Sequence, residues 1–115
     1  MNEPDAIAML GALSQETRLH IVRYLVGCGE EGASAGDIAE AMGVISSRAS
    51  FHLANLERAG LISSERQSRR IIYRARTDNL GELVSFILND CCGNHPDILA
   101  CCPPSPNAKK QNGAQ

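Results

Sequence analysis

The chain contains no tryptophan, and aromatic residues make up only 3% of its 115 residues. So few aromatic rings leave little material for a ligand pocket that depends on ring stacking. The chain also has no apolar run of about 18 residues, the length that a transmembrane helix needs. Its first residues, Met1–Asp5, differ from the basic and then apolar start of a secretory signal. We therefore expect a small cytoplasmic protein with no membrane association.

Residue patterns typical of enzymes are missing as well. The sequence has no glycine-rich phosphate-binding loop, and it has no nucleophile, base and orienting residue at a spacing that indicates covalent catalysis. A core of this size also leaves little room for a large catalytic cleft. We therefore predict that the protein is not an enzyme and that it uses no catalytic cofactor and no small-molecule substrate.

Positive charge is concentrated in one segment of an otherwise acidic chain. The formal net charge is −2, but residues 43–76 contain seven arginines and only two acidic residues, a local charge of +5. Such a segment attracts a polyanion, and guanidinium groups are suited to paired contacts with phosphate or guanine. Charge alone leaves three alternatives open, namely a nucleic acid, an acidic protein partner, or a solvated face with no partner.

Apolar residues at helical spacing predict two helices before residue 27. The first contains Ile7, Leu10 and Leu13, and the second carries an apolar stripe over residues 19–26. A short polar segment separates them. The glycine and glutamate residues of 27–32 then interrupt the helical pattern.

A helix, a short turn and a second helix are predicted next. Ser34, with Asp37 three residues later, is typical of a helix N-cap, and Gly43 ends that helix. Ser46 or Ser47 is expected to cap the following helix. The buried stripe of this second helix is expected to consist of Ala49, Leu53 and Leu56.

A two-stranded hairpin is predicted after this helix-turn-helix. Residues 61–65 and 71–75 are short runs with β-branched or aromatic members, and residues 66–70 between them form a basic tip. A last helix starts with Thr77 as its cap and carries apolar residues at helical spacing as far as Leu88. The expected fold is therefore mainly α with a two-stranded β wing, a winged helix-turn-helix.

Two cysteines continue the apolar stripe of the last helix, provided that the helix extends that far. Cys91 and Cys92 each lie four residues after an apolar position. Prolines from Pro96 onward predict that no regular helix follows, and the last part of the chain has a composition typical of disorder. We therefore divide the chain into a winged helix-turn-helix domain, residues 1–92, and a tail containing cysteine and proline, residues 93–115.

The second helix of a helix-turn-helix lies in the major groove of DNA, so its outward positions favour arginine and short hydrogen-bonding residues. Phe51 or His52 can contact a sugar or a thymine methyl group, and a basic hairpin tip lies near the DNA backbone or minor groove. A structural interpretation stays open, because such serines often serve only as caps and such a histidine is often hydrogen-bonded inside the fold. The candidate DNA-binding residues are Ser46, Ser47, Arg48, Ser50, Phe51 and His52 in the helix, and Gln67, Arg69 and Arg70 in the hairpin.

The chain resembles the ArsR (ArsR/SmtB) family of winged-helix repressors in three segments, LSQETRLHIVRYL at 13–25, GVISSRASFHLANLERAGLI at 43–62 and RRIIYR at 69–74. Members of this family are homodimers built on their first and last helices. They bind operator DNA when free of effector, and they release it when a soft metal or metalloid binds. The resemblance therefore implies a homodimeric repressor of double-stranded operator DNA, with residues 1–92 serving both DNA binding and dimerisation.

Five cysteines occur in a chain expected to be cytoplasmic, so we expect reduced thiols rather than disulfides. Cys28 stands alone beside glycines, and we assign it a structural role. The other four form two pairs that bracket a short loop, so three or four thiolates can converge on one ion. Thiolates select soft ions, and a site of three sulfurs suits trivalent arsenic or antimony. We expect As(III) or Sb(III) as the effector, bound by Cys91, Cys92, Cys101 and Cys102.

These C-terminal cysteines also resemble those of arsenite-responsive members of the family, which use a vicinal pair at the end of the last helix and a later cysteine. The third cysteine follows sooner in that subgroup, so the resemblance leaves open whether Cys101 or Cys102 is the third ligand. Other effectors also stay open. Cadmium, lead or zinc fits a thiolate set, and zinc can be held by four cysteines or by cysteines together with His95. Paired thiols also suit redox or persulfide sensing.

Overall fold

The computed structural model of the chain describes residues 1–100, apart from the side chain of Cys91. These residues fall into two units, Met1–Leu83 and a second unit that starts at Val84. The predicted ligands Cys101–Cys102 and the end of the chain that we predicted to be disordered lie outside the described residues. Within the described part, no helix has both the length and the apolar character needed to cross a membrane.

Helices and a small sheet build the winged helix-turn-helix. The helices are α1 (Glu3–Leu13), α2 (Glu16–Cys28), α3 (Ala35–Met42), α4 (Ser46–Arg58) and α5 (Thr77–Ser85), and the strands are β1 (Ala33–Ser34), β2 (Ile62–Gln67) and β3 (Arg70–Ala75). Helices α3 and α4 form the helix-turn-helix, and strands β2 and β3 form the wing. The predicted fold, mainly α with a β wing, is therefore confirmed.

The two helices of the helix-turn-helix start in different ways. Ser34 Oγ accepts a hydrogen bond from the Asp37 N–H at 3.1 Å, as the cap pattern predicted. Helix α4 is instead preceded by Ile45, which has no side-chain hydrogen bond to the helix. Ser46 and Ser47 lie inside the first turn of α4, so the prediction that one of them caps the helix was wrong.

The sheet has three antiparallel strands, with β3 between β1 and β2. Strands β2 and β3 pair as far as Gln67 opposite Arg70, so the tip of the wing consists of Ser68 and Arg69 alone. Ser68 has a left-handed backbone conformation, with φ 58°. Strand β1 was not predicted, because a strand of two residues is too short to show an alternating pattern.

The hydrophobic core of the first unit joins α2 and the helix-turn-helix to the sheet. The predicted stripe of α4, formed by Ala49, Leu53 and Leu56, is buried. Because burial of each large aliphatic side chain stabilises the fold by about 1.5 to 3 kcal/mol, these residues hold α4 against the rest of the unit. The largest fully buried side chains are Ile21, Leu25, Ile38, Leu53, Leu56, Leu61 and Ile62.

Helix α1 leaves part of its apolar surface uncovered in the single chain. It buries Ala6 and Met9, whereas Ile7 is 61% exposed and Leu10 is 45% exposed. These two aliphatic side chains are therefore left uncovered by the described part of the chain.

The second unit starts with a wider helical turn than the sequence predicts. Residues Phe86–Cys91 form a π-helix, and the Cys92 N–H donates to the Ile87 carbonyl oxygen, five residues earlier, at 3.0 Å. A π turn changes the helical phase, so the regular helix that the four-residue cysteine spacing required is not present. Residues Pro96–Ala100 form a short helix α6, so the prediction that no helix follows was wrong. Proline is tolerated at the first position because its missing N–H has no helical partner there.

Replacing Leu56 with alanine is expected to lower the unfolding free energy by about 2 to 5 kcal/mol, because truncating a fully buried side chain leaves a cavity. Leu19→Ala makes the same chemical change at a position that is 42% exposed, and its expected cost is below about 1 kcal/mol. Denaturant unfolding at one protein concentration measures both variants against wild type. Equal losses contradict the placement of Leu56 in the core.

Candidate nucleic-acid interface

Helix α4 has one buried face and one exposed face. The exposed face carries hydroxyl groups and a guanidinium, which are the groups that hydrogen-bond to phosphates and base edges. The opposite face packs into the core through its aliphatic side chains. Five of the six candidate residues predicted in this helix are exposed, namely Ser46, Ser47, Arg48, Ser50 and Phe51.

His52, the sixth candidate, lies on the buried face of α4, with 6% of its surface exposed. Its Nδ1 atom is 3.2 Å from Nη1 of Arg18 on α2. Since a guanidinium only donates, Nδ1 is the acceptor and is unprotonated. Burial lowers the pKa of His52, and the positive charges of Arg18 and Arg48 lower it further. The structure therefore favours the alternative in which His52 is hydrogen-bonded inside the fold.

Arg18 connects three helices around His52. Its Nε donates to the carbonyl oxygen of Ala12, near the end of α1, at 2.8 Å. Its backbone N–H donates to Oε1 of Gln15, the N-cap of α2, at 2.8 Å. Arg18 was not predicted, because it lies outside the basic segment and its partner on α4 is far away in the sequence.

The low pKa of His52 predicts a stability that depends on pH. The unfolded chain takes up a proton at this histidine near its ordinary pKa of 6.5, whereas the folded chain does so only at lower pH. The stability is therefore fully present above about pH 6.5 and is lost as the pH falls from there towards the folded pKa. Urea unfolding between about pH 7 and 5 should show this loss in wild type and in the exposed-site control His20→Gln, but much less of it in His52→Gln. An unchanged loss in His52→Gln contradicts the assignment.

Two side-chain contacts attach the wing to the helix-turn-helix. Ser64 Oγ on β2 donates to Oε2 of Glu57, near the end of α4, at 2.7 Å. At the other end of the hairpin, Nη2 of Arg70 is 3.4 Å from Oδ2 of Asp37 in the first turn of α3. Exposed contacts of this kind add little stability. The predicted wing candidates Gln67, Arg69 and Arg70 are all exposed.

The seven arginines of the basic segment are not equally available to a partner. Arg74 Nη1 is 2.7 Å from Oε1 of Glu65, and Arg74 Nε also donates to the Glu30 carbonyl oxygen. The hydrogen bond from Arg74 lowers the pKa of Glu65. Nη2 of Arg76 is 3.1 Å from Oδ2 of Asp78, so this arginine is also ion-paired. Within residues 1–100, the arginines of this segment that form no ion pair and no side-chain hydrogen bond to another side chain are Arg48, Arg66 and Arg69.

Of the four predicted thiol ligands, only Cys92 has a described side chain, and it is half-buried. Among the described side chains, no three histidine, cysteine or acidic groups are placed to hold a metal ion. The four-cysteine site therefore stays a prediction.

Cys28 is half-buried at the end of α2. Burial raises the pKa of Tyr24 on the same helix, and the neighbouring thiol of Cys28 raises it further. This contact within one helix agrees with a structural role for Cys28.

A helix-turn-helix with an exposed, arginine-bearing second helix and an attached wing defines a winged-helix DNA-binding transcriptional regulator. A family model described as a helix-turn-helix domain matches residues 13–65. The chain is 34% identical over 88 residues to the HTH-type transcriptional regulator YgaV of Escherichia coli (strain K12), and the match covers 76% of this chain and 87% of that protein. The chain belongs to the ArsR family of winged helix-turn-helix transcriptional regulators.

Two solved structures show the same fold. An ArsR-like transcriptional regulator from Rhodococcus sp. RHA1 has a TM-score of 0.70 and 26% identity, covering 85% of this chain and 90% of that chain. The homodimeric winged helix-turn-helix domain of Mb0332 from Mycobacterium bovis, a possible ArsR-family regulator, has a TM-score of 0.60 and 26% identity, covering 80% of this chain and 85% of that chain. These relatives are transcriptional regulators, which points away from enzymatic activity.

Proposed function

We propose that the protein is a repressor that binds double-stranded operator DNA. The observation that carries this proposal is the exposed face of α4, where Arg48 stands among serine hydroxyls and has no ion pair within residues 1–100. A partner with phosphates and polar base edges satisfies such a face. The proposed contacts are Ser46, Ser47, Arg48, Ser50 and Phe51 from α4, and Gln67, Arg69 and Arg70 from the wing; His52 supports α4 from its inner side.

The repressor is proposed to act as a homodimer. Ile7 and Leu10 on α1 are exposed in the single chain, and the Mycobacterium bovis relative is a homodimer. Twofold symmetry places two α4 helices against two operator half-sites, whose centres are about 34 Å apart along the DNA. Burying the exposed aliphatic side chains between two copies then provides the hydrophobic contribution to the dimer.

Arg48→Ala is expected to weaken operator binding about tenfold and to reduce the slope of log affinity against log salt by about 1 per subunit, because one contact with the DNA is lost. Arg76→Ala removes an arginine that is already paired with Asp78, so we expect less than about a twofold change. Fluorescence anisotropy with DNA from upstream of the gene, at several salt concentrations, measures both. No effect of Arg48→Ala, or an equal effect of the two variants, contradicts the proposal.

For the effector we propose trivalent arsenic or antimony, bound by the thiolates of Cys91, Cys92, Cys101 and Cys102. Support comes from the chemistry of the donors, since sulfur ligands select soft, thiophilic ions. Cys92 also follows Cys91 directly where the π-helix ends, so two donors belong to adjacent residues. Cadmium, lead, zinc and a thiol redox or persulfide signal are the alternatives, and no described residue favours one of them.

Cys91→Ser and Cys92→Ser are each expected to leave DNA binding intact, because neither position lies in α4 or the wing, and to abolish release by arsenite, because a hydroxyl is a poor ligand for this ion. In wild type, arsenite should weaken operator binding by about 5- to 150-fold. Cys28→Ser is the matched control and should keep that release. Unaltered release in both variants overturns the arsenic proposal, and release by an oxidant that dithiothreitol reverses supports the redox alternative.

A further inference from the structure

Two large apolar side chains are exposed where α4 begins. Ile45, the residue before the helix, is 69% exposed, and Phe51 on the outer side of α4 is 62% exposed. Together with Ser47, Arg48 and His52 they line one open cavity of about 370 Å³. The apolar pair, Ile45 and Phe51, therefore borders the guanidinium and the hydroxyl that the proposed interface presents to DNA.

The ring of Phe51 is supported from inside the fold. Its centroid lies 5.6 Å from that of the His52 ring, in an edge-on arrangement with an interplanar angle of 64°. His52 is in turn hydrogen-bonded to Arg18. An aromatic side chain with this support loses little conformational freedom when a partner binds. One side of the Phe51 ring is thus packed against His52, and most of its surface is open to a partner.

The charge beside the apolar pair identifies the kind of partner. An apolar protein surface would bury Arg48 without a counter-charge, and that is costly. The major groove of DNA supplies both kinds of group. Phosphates and guanine suit the arginine, and the base edges carry one prominent apolar group, the C5 methyl of thymine.

We propose that Ile45 and Phe51 contact the C5 methyl group of a thymine in each operator half-site, and that this contact sets a preference for thymine at that position. The inference rests on the proposed DNA-binding function. It makes Ile45, which lies outside the predicted site, a specificity-determining residue. It also explains why two large apolar side chains stand at a surface that is otherwise polar and basic.

Uracil in place of thymine tests this proposal, because uracil lacks only the methyl group and pairs with adenine in the same way. The operator fragment is amplified with labelled primers, once with dTTP and once with dUTP, and binding of both products is measured by fluorescence anisotropy at one salt concentration. Wild type is expected to bind the uracil fragment roughly fourfold more weakly for each contacted methyl group. Phe51→Ala and Ile45→Ala should each move this ratio towards one.

Two further variants serve as controls for the thymine-to-uracil ratio. Phe51→Leu keeps a large apolar side chain and should keep most of the thymine-to-uracil ratio, whereas Arg76→Ala, whose arginine is paired with Asp78, should keep all of it. Thermal unfolding checks that each variant is folded, which we expect because both members of the apolar pair are mostly exposed.

The outcomes separate this inference from the function on which it rests. Equal binding of the two fragments by wild type overturns the inference and leaves the DNA-binding proposal standing. An unchanged ratio in folded Phe51→Ala and Ile45→Ala also overturns it, because the methyl group is then sensed elsewhere. If neither fragment shows binding that weakens with salt, the proposed function itself fails, and the inference fails with it.

Discussion

The part-buried contact between Arg18 and His52 links the inner face of α4 to α2, and the proposed interface depends on how α4 is held there. The same guanidinium donates to the carbonyl oxygen of Ala12, so one side chain joins the end of α1, the start of α2 and the inner face of α4. His52 can accept this hydrogen bond only while its Nδ1 is unprotonated, since arginine has donors alone. A proton there would place two cations side by side. The surface that we propose to face DNA is thus supported by a group on the opposite side of the helix.

Most of the fold was predictable because most of its signals are local. Helical spacing identified helices α1 to α5, and the capping pattern of Ser34 and Asp37 identified the start of α3. Gly43 ends α3 in the left-handed conformation, with φ 69°, which glycine adopts without strain. These interactions join residues a few positions apart, so the sequence contains them directly. The start of α4 is the exception, since Ile45 stands at the cap position and serine side chains do not serve there.

The features that the sequence could not predict depend on residues that are distant along the chain. His52 has the composition of a base-contacting residue, but its partner Arg18 lies 34 positions away. Its spacing of three residues from Ala49 and four from Leu56, both buried, is the local signal that indicates an inward position. Arg74 meets Glu65 only because the register of the hairpin brings them together. The π-helix was not predicted either, because the spacing argument assumes a regular α-helix as far as the cysteines. The predicted ligands Cys101 and Cys102 lie outside the described residues.

The side chains of the proposed interface contribute differently to DNA affinity and to sequence preference. Phosphate contacts act on every DNA sequence alike, so an arginine without an ion pair supplies sequence-independent attraction wherever it contacts phosphate. Serine hydroxyls both donate and accept, so they distinguish bases weakly, whereas the pair Ile45 and Phe51 suits a single base group. Arg74 and Arg76 are already paired with Glu65 and Asp78, so we expect them to add little attraction to DNA. Because an effector typically changes affinity through a coupling of only about 1 to 3 kcal/mol, a larger sequence-independent attraction would keep a repressor on DNA after its effector had bound.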